Sequence, residues 1–248
     1  MKKVALCISA GFVLAIGGEL LYLHHRNVVT ENTEIVRKDP YEKPKMTDDD
    51  AVFFRKERPD SLKDERKLIG TTIWVSAGNQ MDYYHYANHH ADYAHSVGTL
   101  QGAEPLLIKD VFEQVAPKSG VAVARVAAGQ KHVLLAFTLP KSANPDVEYA
   151  VPVGNYDNGN YTFISDDIFF YDDPHVLYKH WGPEMWAHID KHEAVPGMSE
   201  NQAMMALGEV LEWHGKDPGN RSITYHIGDK ETTIKFEDNK AVTISPLS

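Results

Sequence analysis

The chain has 248 residues, 25 Lys plus Arg against 35 Asp plus Glu, a formal net charge of −10, and 13 histidines outside that sum. That length holds one or two domains, and 43% apolar with 24% charged residues is a globular composition. The acidic balance argues against nucleic-acid binding, which needs a basic surface, and a single cysteine excludes a disulfide framework or a Cys-rich zinc module.

Residues 1–26 open with Lys2 and Lys3, then run almost wholly apolar from Val4 to Leu23 with Glu19 the only charge. Twenty residues at about 1.5 Å each match the roughly 30 Å hydrocarbon core of a bilayer. The segment reads as a signal anchor, or as a signal peptide cleaved near Gly17 with Ala15 and Gly17 at the small-residue positions. Glu19 favours cleavage, because a charge in the span costs a few kcal/mol; the continued run Leu20–Leu23 favours the anchor. The expected location is a single-pass membrane protein, tethered through residues 4–23, with a periplasmic or otherwise exported bulk; the alternative is a secreted protein. Cys7 lies at the start of the apolar run, not after it, so it is not placed as a lipobox cysteine.

Residues 27–67 read as a charged linker. Between 31 and 67 there are 11 acids and 10 bases, 21 of 37 residues, punctuated by Pro40, Pro44 and Pro59, too polar to bury much. A short helix is expected over Asp48–Arg58, with Phe53 and Phe54 docking on the body.

Residues 68–163 read as a small antiparallel β-domain, an SH3-like barrel being one option. The strand-like runs are Leu68–Val75, Leu106–Phe112, Val121–Val126, Val133–Leu139 and Tyr149–Val153, with Asn79–Gly98 as a long insertion between the first two. Residues 164–248 begin with Ile168–Tyr171 between the acid pairs Asp166–Asp167 and Asp172–Asp173. Pro183 suits the first turn of a helix over Glu184–His192. Ser199 and Gln202 have capping-box spacing ahead of a second helix, Glu200–Leu207, and Gly208 is a natural stop. Ser222–Ile227, Thr232–Phe236 and Ala241–Ile244 then form a three-stranded meander turning at Gly228–Asp229 and Asp238–Asn239. The fold class is α+β.

The run Gly197-Met198-Ser199-Glu200-Asn201-Gln202-Ala203-Met204-Met205-Ala206-Leu207-Gly208-Glu209 resembles the helix-turn motif of the BamE (SmpA/OmlA) family, and the β-lactamase-inhibitor-protein fold is similar. The resemblance covers about residues 184–244. It implies a helix pair packed on an antiparallel meander, and a bacterial envelope protein that works by protein–protein contact, a scaffold or assembly accessory.

Three constellations carry candidate chemistry. The segment 83–95 holds four tyrosines and four histidines in 13 residues. If it were helical, His85, His89 and Asp92 would share a face at i, i+4 and i+7 and could bind zinc or a similar divalent metal. Otherwise Tyr83, Tyr84, Tyr86 and Tyr93 suit a protein interface, since tyrosine combines contact area with a polar tip. His188 and His192 share helical spacing, but Ile189 stands where a zincin places its glutamate. The acid pairs could offer oxygen ligands to Ca²⁺, or simply flank an apolar strand. The leading expectation is therefore an envelope protein that holds a partner protein, with no catalysis inferred. The alternative is a periplasmic metal-binding protein or metal-dependent enzyme built on segment 83–95.

Overall fold

A computed structural model describes residues 46–78, 81–118, 129–227 and 230–247. The apolar segment 4–23, the first part of the linker and the strand expected over Val121–Val126 lie outside the described residues. Among the described residues, no helix is long and apolar enough to cross a membrane. Residues 47–248 form one compact unit, an α+β fold dominated by antiparallel strands.

The larger sheet has eight strands. β1 (Thr72–Val75), β2 (Asp82–Ala87), β3 (His90–Thr99), β4 (Pro105–Val115), β5 (Lys131–Thr138), β6 (Glu148–Asp157) and a two-residue β8 (Phe169–Phe170) follow the order β3-β2-β6-β5-β4-β1-β8, and β7 (Asn160–Phe163) pairs with β6. The expected small SH3-like barrel is therefore replaced by a wider sheet. Asn79–Gly98 is no insertion: it supplies β2 and β3, joined through Asn88 and His89, both at positive φ (51° and 57°), as a two-residue hairpin turn requires.

β5 is central, and all its residues but Lys131 are buried. Val133, Leu135 and Phe137 face one core with Ile73, Leu106 and Val151. Leu134 and Ala136 face a second with Tyr84, Tyr93 and Phe112. A sheet covered on both faces needs apolar residues at every position of its middle strand, which is why this run shows no alternation.

The rest of the unit packs α4 (Gly182–Ile189) and α5 (Glu200–Leu207) on a second sheet, order β12-β11-β10-β9. The shorter helices are α1 (Leu62–Glu65), α2 (Ser165–Ile168) and α3 (Pro174–Leu177), the last packing Leu177 against this second core. The capping box forms: Gln202 N–H donates to the Ser199 hydroxyl (3.2 Å) and Ser199 N–H to the Gln202 side-chain oxygen (2.8 Å). Met198 is fully buried among Trp186, Ile189, Met205, Tyr225 and Phe236. The meander has four strands, not three. β9 (Glu209–His214) precedes β10 (Ser222–Ile227), β11 (Lys230–Glu237) and β12 (Lys240–Leu247). Its six residues are mostly exposed, so they lack the alternation that marks a half-buried strand.

Two expected boundaries are not breaks. β8 pairs with β1, and Ile168, Phe169 and Tyr171 enter the first core, so residues past 163 complete the larger sheet. The linker also ends earlier than residue 67. Thr47–Asp60 lies along the body as a strap, with one 3₁₀ turn at Asp49–Ala51 in place of the expected helix. Phe54 reaches Phe170 (5.3 Å between ring centres), while Phe53 is 86% exposed.

Candidate functional site

The metal constellation expected in segment 83–95 does not assemble. The i, i+4, i+7 spacing unites side chains only on a helix, and here the chain is a hairpin. His85 lies beside the Tyr149 ring (5.5 Å). His89 pairs with Asp110 (2.7 Å), and Asp92 with His95 (2.9 Å). Among the described residues no three His, Cys, Asp or Glu side chains cluster as metal ligands. Tyr84, Tyr86 and Tyr93 face one core and Tyr83 the other, and the four differ in burial. Tyr84 and Tyr93 are buried and stack edge to face (5.0 Å), so they serve the core and not an interface. Tyr93 also bonds buried His132 (2.8 Å). Tyr83 and Tyr86 are half-buried, and Tyr86 donates to Asp110 (2.8 Å).

The remaining sequence candidates are also engaged. His188 meets Glu193 (3.4 Å) and His192 the Ala206 carbonyl (3.2 Å), so the pair does not converge. Asp173 caps α3, accepting from the His175 N–H, and also meets the His175 ring (2.8 Å), which bridges on to Asp190 (3.0 Å). Asp190 lines a cavity of about 200 Å³ with His192, Lys141, Ser142 and Glu104, whose carboxyl burial pushes above its ordinary range.

The open edge of the smaller sheet is a surface that sequence reasoning missed. Gly208, at φ +90°, turns the chain out of α5 into β9. Val210 pairs with Tyr225, Glu212 with Thr224 and Trp213 with Ile223, leaving Leu211 as the extra residue of a bulge. Leu211 and Trp213 are each 49% exposed. The Trp213 ring is not loose. The Arg221 guanidinium lies 4.0 Å from its centre and is fixed in turn by Glu200 at 3.0 and 2.5 Å. Glu200 also accepts from Gly219 N–H (2.6 Å).

Three other described edges are blunted. On β3, the Asp92 carboxylate takes the Ala94 N–H (3.1 Å), and Gln114 takes both the N–H (2.7 Å) and the carbonyl (2.9 Å) of Ala91. β12 carries Pro246 and Lys240. β8 is two residues long. These devices discourage strand addition; β9 has neither proline nor lysine, and its own blunting is confined to the Leu211 bulge and the charges of Glu209 and Glu212. The only outward sequence signal was the pair Gly208 and Gly215 bracketing an apolar-containing run.

A second missed group is Glu65, only 1% exposed and held by the Ser165 hydroxyl (3.2 Å). Burial pushes its carboxyl up to about 7. Comparison with protein-family models, curated proteins and solved structures found no match to this chain.

Proposed function

We propose that the chain is an exported, membrane-tethered bacterial envelope protein that works by holding a partner protein, with residues 4–23 as its anchor and the smaller sheet as its docking element. The observation that carries the docking reading is the β9 edge: a strand without proline or lysine, bearing half-exposed Leu211 and an Arg-braced Trp213. An extended segment of the partner would add as a fifth strand, with main-chain hydrogen bonds supplying affinity and Trp213 the anchor. Exposed Glu209 and Glu212 favour a basic segment. The helix pair and meander support the BamE-like reading of residues 184–244.

The test is crosslinking in the detergent-solubilised envelope with the full chain and its Leu211→Asp/Trp213→Ala variant. Loss of an aromatic anchor costs about 2 kcal/mol or more, roughly 30-fold in affinity. The reading requires partner capture to fall by that order while circular dichroism stays unchanged. Equal capture by both proteins removes β9 as the docking edge.

A further inference from the structure

The strap Thr47–Asp60 is held at two seats. At the first, the Asp49 carboxylate accepts from Trp181 Nε1 (2.7 Å) and Asn201 Nδ2 (2.9 Å) and meets His180 (2.5 Å). At the second, Arg55–Arg58 lies against Ser165–Asp172. The Asp166 carboxylate takes the N–H groups of Glu57 and Arg58, both at 3.0 Å, Arg55 donates to the Tyr171 carbonyl (2.6 Å), and Lys56 reaches the Asp166 carbonyl. Residues 53–58 all lie exposed: Phe54 packs on the Phe170 and Tyr178 rings, Arg55 lies over the Tyr171 ring, and the other contacts are polar. A segment so held opens at far lower cost than a core strand.

Glu65 lies buried behind this second seat. One carboxyl oxygen accepts from Ser165; the other is buried without a partner. The groups that face Glu65 are Asp166 from α2, Glu57 from the strap and the Tyr171 phenol. The nearby cations are committed elsewhere: Arg55 to Glu57, Asp172 and the Tyr171 carbonyl, Lys56 to the Asp166 carbonyl, Arg66 to the Val111 carbonyl and Lys67 to Asp64. An ionised Glu65 is therefore a buried anion between two acids. Ser165 touches Glu65 and its neighbour Asp166 holds the strap, so one dipeptide joins the two.

We propose that Thr47–Asp60 is a pH-released strap, docked while Glu65 is protonated and freed from its Arg55–Arg58 seat when Glu65 ionises. A protonated carboxyl carries no charge, so it tolerates a buried site with one unpartnered oxygen at far lower cost than the ionised form does. A carboxylate needs water and distance from like charge. Lifting the strap removes Glu57 and opens the site to solvent. With the docked carboxyl near 7 and a hydrated one near 4.5, strap docking weakens by up to about 70-fold between pH 5 and pH 8.

Amide hydrogen exchange on the full chain tests this, with rates corrected for intrinsic base catalysis. Protection of the Glu57 and Arg58 amides should fall towards that factor from pH 5 to pH 8 while the β5 amides of Leu134 and Leu135 hold theirs. Glu65→Gln should keep the strap protected at both values. Should that variant fail to fold, the wild-type profile stands alone, and Asp166→Asn should expose the same amides at every pH. Strap protection that is flat with pH, that falls together with β5, or that has the same profile in Glu65→Gln overturns the proposal.

Discussion

Glu65→Gln is the sharpest probe of the packing. Glutamine keeps the volume and the oxygen that accepts from Ser165 but cannot ionise. The wild-type carboxyl has an ordinary value of 4.5 and a folded value of about 7. Between those values the native chain holds a proton that the unfolded chain has released, so raising the pH favours unfolding. The stability is intact below 4.5, falls across the window and is fully lost above 7. Each tenfold change is worth about 1.4 kcal/mol, which makes the full loss about 3 kcal/mol, capped at the free energy of freeing the strap. Urea unfolding at half-unit steps from pH 4.5 to 8 on both proteins isolates the effect, because every other titrating group cancels in the difference. Wild type should lose stability relative to Glu65→Gln by up to about 3 kcal/mol across the window and by nothing further above pH 7.5. A difference that is constant with pH refutes the reasoning, for it would mean that Glu65 is hydrated and ordinary.

Other outcomes follow from the same contacts. Tyr93→Phe removes the hydroxyl bonded to buried His132 and should cost about 1–2 kcal/mol in chemical unfolding. Gly102→Ala would bring a Cβ to 2.3 Å from the Met205 carbonyl oxygen, so the β3–β4 turn and α5 must part; a loss of about 1–3 kcal/mol is expected, and an unchanged melting temperature would show that the two are not in contact. Metal analysis of the full chain and of His85→Ala/His89→Ala should give equal zinc content, and loss of one equivalent in the variant would restore the metal reading.

Local signals translated well into structure. Ser199 and Gln202 make both bonds of the capping box, and Asp238 and Asn239 turn at positive φ (48° and 56°). Each depends on atoms within about three residues, so spacing alone reveals it. The Tyr/His run misled because a dense cluster of ligand-type residues takes its geometry from the backbone period. Its alternate burial, Tyr84 inward and His85 outward, shows the strand period of two. Asn158-Gly159 was an available hairpin signal for β7, with Gly159 at φ +88° supplying the turn. β9 could not be read as a strand, because an exposed edge pairs through its backbone and leaves no hydrophobic pattern.

By itself, the sequence determined the α+β class, the capping box of α5 and most of the central strands of both sheets. These follow from periodicity and from short-range main-chain chemistry. Tertiary structure decided which charges matter. In sequence Glu65 is one acid among many in a polar stretch, and its burial depends on Ser165, a hundred positions away. The strap likewise reads as linker until Asp49 meets Trp181 and Asp166 meets Arg58. Desolvation is a property of everything that surrounds a group, so no local window can reveal it.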